Sequence, residues 1–360
     1  MFHMKPTTGA PRMVDTLQSH AGTSGKSPAS YEKLDPIRRF VATPYIASLP
    51  AMGRKIRLET NSPKLLEHMV NLFAPYSGTA YRPPEFLWRI IVESSEPCSP
   101  PWPRRSTFSD ERIRLAQFGQ RNFLAVDIDA REAVGFISEG LFEDRQGFST
   151  PFIDTLFYMS AAPLGLMPFA SACVRLGNEG LLVLGEPNQG KTTASYLATR
   201  DGLMVHSDQS VFLELVNDEL QAWGDFVPLA FRPETLQFLP ELQSRTRPFS
   251  YCDFHFHYLP KHEAGLAVSP LATPTCCVVL ERGGSSVPRL DPLESSDLRP
   301  YIARYLAFKD EDRFEEQNRS IVEELAHLPA YRLAYGMDPA DARPFFRCLL
   351  MRHGRGTKSA

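Results

Sequence analysis

The sequence predicts an α/β fold, and three consecutive features in the middle of the chain support this prediction. Residues 181–184 form an apolar run closed by a glycine, the pattern of a strand that is buried on both faces. A helical pattern follows at residues 193–200, and Gly202 stands where this helix would stop. A second apolar strand pattern, residues 203–208, ends in Asp208. The order strand, helix, strand is typical of a sheet with parallel strands.

The composition is that of an ordinary globular protein. The 360 residues are 43% hydrophobic and 22% charged, enough for one large domain or two modest ones. A net charge of -3 gives no broad electrostatic footprint for nucleic acid, so we expect no nucleic-acid partner. We also expect no membrane partner, because prolines interrupt the longest apolar stretch, residues 156–170. Six cysteines without a C-x-x-C pair, and a start without a signal-peptide pattern, favour the cytoplasm.

The part of the chain before residue 150 predicts a leader and a small lobe. Residues 1–30 are rich in Thr, Ser, Gly and Pro, and we expect them to be disordered. Residues 31–150 predict an N-terminal α+β lobe. Its helix begins at Ser62 and Pro63 and buries Leu65, Leu66, Met69, Val70 and Phe73. Its strands are expected at residues 55–59, 86–92, 112–115, 122–128 and 133–138, and a further helix at 150–159.

The loop after the first buried strand indicates phosphate chemistry. It fits the pattern G-x-x-x-x-G-K-[ST] without a gap. Backbone N–H groups of such a loop, with the positive end of the following helix, bind anions. We therefore predict that the chain binds ATP and Mg²⁺, with Lys191 at the β and γ phosphates and Thr192 on the metal. The predicted nucleotide-binding residues are Gly185, Glu186, Pro187, Asn188, Gln189, Gly190, Lys191, Thr192 and Thr193. The alternative is a glycine turn that binds nothing.

Asp208 is the second candidate catalytic residue, besides Lys191. A strand that returns to the same sheet edge would place its carboxylate beside the Mg²⁺ and the γ-phosphate. We predict that Asp208 is a metal ligand, a general base, or both. The alternative is a solvated carboxylate at a strand end.

The C-terminal part of the chain supplies supporting elements and one further polar cluster. We expect a hairpin at residues 211–215 and 219–223 turning at Asn217 and Asp218, strands at 276–280 and 331–335, and helices at 311–328 and from Asp338 onward. Residues 151–352 would form the nucleotide-binding domain, followed by a basic tail at 353–360. Asp253, His255 and His257 alternate on one strand; a metal site is conceivable there, but a polar strand face is the favoured interpretation.

The stretch GEPNQGKTTASYLATRDGLMVHSDQSVFLEL, residues 185–215, resembles the core of the HPr kinase/phosphorylase family. The resemblance covers about residues 169–215 and is weaker at 226–239 and 329–350. It implies a P-loop core related to phosphoenolpyruvate carboxykinase and an ATP-dependent serine kinase that acts on a protein or peptide. Gly185, Gly190, Lys191 and Thr192 match the family's nucleotide site, and Asp208 matches the first acid of a pair. Gln209 stands in place of the second acid, and Asn188 replaces an inner glycine.

The predicted function is therefore transfer of the ATP γ-phosphoryl group to a hydroxyl, most simply a serine of a peptide or small protein. Two alternatives stay open. One is a non-catalytic nucleotide-binding sensor or scaffold, and the other is a kinase for a small metabolite. The oligomeric state is left open, and a homo-oligomer is compatible with the sequence. A Gln209→Asp variant that gains transfer from a zero baseline would favour the non-catalytic alternative.

Overall fold

A computed structural model describes residues 41–79, 81–94, 105–144, 148–251, 254–261, 271–283, 287–308 and 311–354. The chain divides into two units, Met1–Ala42 and Thr43–Ala360, and the elements described below belong to the second. The leader predicted at residues 1–30 lies outside the described residues. The fold is mixed α/β, as predicted. Among the described helices, none combines the length and the apolar character needed to cross a membrane.

The N-terminal half of the described chain builds a first sheet. Its strands are β1 (Tyr45–Ala51), β2 (Arg54–Thr60), β3 (Glu85–Glu93), β4 (Arg105–Ser109), β5 (Ile113–Phe118), β6 (Asn122–Asp127) and β7 (Glu132–Ser138). Within the described ranges their order is β1-β2-β3-β7-β6-β5-β4. The five predicted strands are confirmed, whereas β1 and β4 were not predicted. β3 is parallel to both β2 and β7, and the other pairs are antiparallel.

Helix α1 (Pro63–Phe73) covers this sheet. It begins as predicted, with the Ser62 hydroxyl accepting a hydrogen bond from the backbone N–H of Leu65 at 3.2 Å. Leu65, Met69 and Phe73 are buried. The prediction for Val70 was wrong, because it is 44% exposed. A residue that directly follows a buried one is turned about 100° around the helix axis, away from the buried stripe.

A short helical region connects the two halves. It consists of α2 (Glu139–Glu143), a π-helical turn at Phe148–Ile153 and α3 (Asp154–Ala161). The helix predicted at residues 150–159 therefore begins as a wider turn, and Pro151 lies inside that turn. A proline removes one backbone donor, so a regular α-helical turn is disfavoured there. The predicted domain boundary near residue 150 falls in this region and stays a prediction.

The second half of the chain builds a larger mixed sheet and a small one. The larger sheet contains β8 (Met167–Phe169), β9 (Ala172–Leu176), β10 (Glu179–Leu184), β11 (Met204–Ser207), β12 (Val211–Val216), β13 (Glu219–Gly224), β17 (Leu271–Arg282), β18 (Arg289–Leu293) and β19 (Ala330–Tyr335). The small sheet contains β14 (Leu229–Phe231), β15 (Arg247–Tyr251) and β16 (Phe254–Leu259). Within the described residues the main path of the larger sheet is β11-β9-β10-β17-β13-β12-β8, and β19 joins β17 to β18. β10, β17 and β19 run parallel.

The predicted hairpin of β12 and β13 is confirmed, with antiparallel pairing and positive φ angles of 50° at Asn217 and 62° at Asp218. One arrangement was not foreseen. β9 lies between β10 and β11 and is antiparallel to both. β11 therefore points in the same direction as β10, and the carboxyl ends of the two strands lie at the same edge of the sheet.

Helices cover both faces of the larger sheet: α4 (Lys191–Ala198), α5 (Ser295–Tyr305), α6 (Glu315–His327) and α7 (Arg343–His353). Leu181 and Val183 share a buried cluster with α4 and α7, while Leu182 and Leu184 share another with α5 and α6. This division follows the alternation of side chains along a strand. α5 was not predicted. The tail predicted at residues 353–360 was wrong for His353, which ends α7; residues 355–360 lie outside the described residues.

Candidate functional site

The loop between β10 and α4 has the backbone that its glycines predict. Gly185, Asn188 and Gly190 have φ angles of 143°, 70° and 82°, which glycine adopts freely and asparagine tolerates. A Cβ atom on Gly185 would lie 3.0 Å from the carbonyl oxygen of Leu280. One on Gly190 would lie 2.6 Å from the hydroxyl oxygen of Tyr335. Both glycines of the pattern are thus required by their neighbours as well as by their backbone angles.

Neighbouring elements hold this loop in place. The Tyr335 hydroxyl, at the end of β19, donates a hydrogen bond to the carbonyl oxygen of Gln189 at 2.5 Å. The side-chain oxygen of Gln189 accepts a hydrogen bond from the backbone N–H of Arg282, at the end of β17. The Glu186 carboxylate forms an ion pair with Arg304 of α5. The loop is therefore fastened to two strands and one helix, which restricts its conformation.

Lys191 is the first residue of α4, and its ammonium group lies against the loop. Nζ donates hydrogen bonds to the carbonyl oxygens of Gly185, at 2.6 Å, and Glu186, at 3.1 Å. Burial lowers the pKa of Lys191 to about 8, while the negative charges of Glu186 and Asp208 raise it. The interaction with Asp208 indicates that the two predicted residues are near each other. The chain from Lys191 to Asp208 leaves this edge of the sheet through α4 and returns to it through β11.

Asp208 directly follows β11 and is buried, with 2% of its surface exposed. Its Oδ2 atom accepts a hydrogen bond from the backbone N–H of Ala230 at 3.2 Å, and its Oδ1 atom has no hydrogen-bond partner among the described residues. Burial, and then the negative charge of Asp225, raise the pKa of Asp208 to about 7. Lys261 and the Thr192 hydroxyl lower it. The solvated alternative for Asp208 is therefore wrong.

A second buried carboxylate, Asp225, lies beside Asp208. It follows β13, is 4% exposed, and accepts a hydrogen bond from the Ser207 hydroxyl at 2.9 Å. Lys261 forms an ion pair with its carboxylate and donates to its backbone oxygen at 2.6 Å. Gln209, which stands where the resembled family has its second acid, is exposed. A second acid is thus present near Asp208, but it comes from another strand.

The close approach of two strand ends explains how Asp225 reaches this position. A Cβ atom on Gly224 would lie 2.5 Å from the carbonyl oxygen of His206, so only glycine permits this approach. Sequence reasoning missed Asp225 and Lys261. The only signal in the sequence was that Asp225 follows Gly224 at the end of a predicted strand. That signal does not show that the end of β11, with Asp208, lies next to Asp225.

Tyr258 of β16 adds a hydroxyl to the same surroundings. Burial raises its pKa strongly, and the negative charges of Asp208 and Asp154 raise it further. Asp154, at the start of α3, has a pKa raised to about 7 by burial and then by the charge of Asp225. Three carboxylates from three elements thus interact electrostatically, with Lys261 as a nearby cation. Buried carboxylates with strongly raised pKa values, such as Asp208 and Asp154, are more common at functional sites than elsewhere.

The remaining predicted loop residues differ in exposure. Pro187 and Asn188 are exposed, whereas Thr193 is buried and faces the interior. Thr192 is partly exposed, and its hydroxyl interacts with the Asp208 carboxylate and lowers its pKa.

The two described histidines of the alternating strand, His255 and His257, contact hydroxyl groups. His255 is exposed and its Nδ1 lies 2.8 Å from the Ser250 hydroxyl; Nδ1 of His257 lies 3.3 Å from the Thr246 hydroxyl. Asp253 lies outside the described residues. In the described part of the chain, no group of three or more His, Cys, Asp or Glu side chains is arranged to hold a metal ion. The interpretation of this strand as a polar face, with a metal site as its alternative, stays a prediction.

A cleft of about 530 Å³ opens on the other side of the loop, between the loop and α5. It lies at the carboxyl ends of the parallel strands β10 and β17, and Arg332 of β19 also lines it. Its lining combines apolar, aromatic and charged side chains with three loop residues: Gly185, Glu186, Gln189, Val279, Leu280, Glu281, Asp297, Pro300, Tyr301, Arg304 and Arg332.

Comparisons with solved structures show the following likeness. The chain is similar to the HPr(Ser) kinase/phosphatase from Coxiella burnetii. The match to this solved structure has 12% sequence identity and a TM-score of 0.28, and it covers 53% of this chain and 91% of that one. No family model and no curated protein matches the sequence. Because likeness at this level establishes no function, the function is inferred below from the residues of the site.

Proposed function

We propose that this protein is an ATP-dependent kinase. It transfers the γ-phosphoryl group of ATP to the hydroxyl group of a serine on a peptide or small protein. One observation carries the proposal. Lys191 and Thr192, at the start of α4, lie near the buried carboxylate of Asp208, whose Oδ1 atom has no hydrogen-bond partner among the described residues. A buried oxygen without a partner is costly unless a proton, a metal ion or a ligand meets it.

The residues present are suited to Mg²⁺. The Thr192 hydroxyl and the Asp208 carboxylate are the groups that would hold it, and both offer the hard oxygen ligands that Mg²⁺ prefers. Two protein ligands are sufficient, because Mg²⁺ in such sites keeps several waters and binds phosphate oxygens. Bound Mg²⁺ neutralises charge on the phosphate oxygens.

The proposed reaction uses the remaining groups as follows. The acceptor oxygen forms a bond to the γ-phosphorus, the bond from that phosphorus to the β–γ bridging oxygen breaks, and ADP leaves. The acceptor proton passes to the buried Asp208 carboxylate, which interacts with both Lys191 and Thr192. Lys191 stabilises negative charge on the phosphates. Asp225, held by Lys261 and Ser207, acts as a positioning residue that keeps Asp208 basic.

The choice of acceptor and of activity depends on different observations. A serine of a peptide or small protein rests on the resemblance of residues 185–215, and a cytoplasmic location rests on cysteine usage. The proposal of catalysis, rather than nucleotide sensing, rests on Asp225. This second buried acid lies near Asp208 and can replace the acid that is absent at Gln209. A small-metabolite acceptor has no observation of its own in its favour.

The test is transfer of label from γ-labelled ATP, with Mg²⁺, to serine peptides and to small proteins encoded beside this chain. We expect Lys191→Ala and Asp208→Asn each to lower transfer by about a hundredfold or more. Lys64→Ala, on the exposed side of α1, should leave transfer unchanged. Calorimetric binding of ATP without any labelled product would favour the sensor, and the absence of ATP binding would refute both.

A further inference from the structure

The cleft beside the loop has the location and the size of a small-molecule site, and the reaction proposed above assigns no role to it. It lies at the carboxyl ends of the parallel strands β10 and β17, the edge at which open α/β sheets bind ligands. Its volume of about 530 Å³ is within the range of small-molecule sites. Since Gly185, Glu186 and Gln189 line it, the cleft is continuous with the loop proposed to hold the phosphates.

The two sides of the loop differ in the chemistry they offer. α4, with Lys191 and Thr192, packs on one face of the sheet, and Asp208 interacts with both of these residues. α5, which lines the cleft, packs on the opposite face. The acceptor hydroxyl must meet the γ-phosphoryl group near Asp208. The rest of a nucleotide must therefore leave the loop in another direction.

The lining of the cleft matches a nucleoside. The Tyr301 ring and Pro300, on α5, offer flat surfaces for a base, and Val279 adds an apolar side chain on the face of the sheet that α5 covers. Asp297 and Glu281 offer carboxylate oxygens that accept hydrogen bonds from ribose hydroxyls or an exocyclic amine.

Two ion pairs border the same space. Arg304 is paired with Glu186, and Arg332 with Glu281 at 3.2 Å. Each arginine keeps donors beyond the one engaged in its ion pair. The Glu186 pair also links the phosphate loop directly to the cleft wall.

We infer that this cleft binds the nucleoside part of the nucleoside triphosphate, with Tyr301 against the base. The inference rests on the proposed function, since it takes the phosphates to be held by the loop. It assigns substrate binding to α5, an element far along the chain from the phosphate-loop motif.

Calorimetric titration of the full-length protein with MgATP and, separately, with magnesium tripolyphosphate tests the inference. Tripolyphosphate carries the phosphates without a nucleoside. Tyr301→Ala should weaken ATP binding by about tenfold, the effect of losing one base-stacking ring, and leave tripolyphosphate binding unchanged. Tyr301→Phe should retain ATP affinity. Tyr81→Ala, at an exposed tyrosine of the N-terminal half, is the matched control.

The failures of the two proposals are distinguishable. If Lys191→Ala weakens both ligands but Tyr301→Ala, with the wild-type circular dichroism spectrum, weakens neither or weakens both equally, the nucleoside site is refuted and the phosphate site stands. If the wild-type protein binds neither ligand, the proposed function fails, and the nucleoside site fails with it. Weaker ATP binding in Tyr301→Ala only because the variant is unfolded would also reduce tripolyphosphate binding, so that comparison excludes a folding artefact.

Discussion

Replacing Gly190 by alanine should destabilise the protein more than the same change at another glycine with the same backbone. Gly190 has a φ angle of 82°, and its new Cβ atom would lie 2.6 Å from the hydroxyl of the buried Tyr335. Gly78 has a φ angle of 88°, with nothing within 4 Å of a new Cβ atom. Gly78→Ala therefore measures the backbone cost alone, about 1 to 2 kcal/mol. Gly190→Ala adds an overpacking cost of about 1 to 3 kcal/mol.

The assay is urea unfolding of both variants, in which the free energy of unfolding is compared at unchanged slope. A Tyr335→Phe change in the Gly190→Ala background removes the clashing oxygen and should recover part of the loss. It will not recover all of it, because the hydroxyl also donates to the carbonyl oxygen of Gln189. Equal destabilisation by the two alanine variants, or no coupling between Gly190 and Tyr335 in a double-mutant cycle, would refute the reasoning.

Three further results are expected. Asp225→Asn should reduce phosphoryl transfer at least tenfold, while Gln209→Asp should change it less than twofold, because only the former lies in the buried cluster. The pH profile of kcat/KM should be a narrow bell: activity rises as Asp208 loses its proton near pH 7 and falls as Lys191 loses its charge near pH 8. Glu214→Gln should lower the free energy of unfolding by about 3 to 5 kcal/mol in urea titrations, because it breaks a buried ion pair.

Controls accompany these results. Lys191→Arg keeps its charge at all accessible pH values, so it should move the alkaline limb of the profile upward and leave the acid limb in place. An alkaline limb that stays near pH 8 in this variant would assign it to another group. Glu85→Gln removes one partner of the exposed ion pair with Lys55 and should change stability by less than about 1 kcal/mol. A loss as large as that of Glu214→Gln would contradict the role of burial.

Glu214 is a useful probe because its carboxylate joins the two large sheets. It forms ion pairs with Arg54, at 2.8 Å, and Arg82, at 3.1 Å, and it accepts a hydrogen bond from the indole N–H of Trp223 at 2.8 Å. Arg54 and Glu214 are 6% and 3% exposed. No pattern in the sequence indicated this link, since the residues are distant in the chain and arginine and glutamate are ordinary surface residues.

Local patterns predicted the elements around the loop. The apolar run at residues 181–184 is the core of β10, Gly202 ends the short helical turn after α4, and Asp208 follows β11. These predictions succeeded because the signals are contiguous: burial on both faces makes a strand uniformly apolar, and a positive φ angle selects glycine. The helix predicted at residues 150–159 was right as a helical segment, but its first turn is π-helical around Pro151. α5 escaped detection because Pro300 lies inside it, and a proline argues against a regular helix.

The sequence by itself determined the strand, the glycine loop, the helix that follows and the acid that ends the next strand, because each depends on residues close together in the chain. Only the tertiary structure decided that Asp225 and Lys261 accompany Asp208, and that Tyr301 lies beside the loop between β10 and α4. Those contacts depend on strand order, on the insertion of β9 between β10 and β11, and on the close approach at Gly224. Such pairing is set by the packing of the whole core, which short-range periodicity does not encode.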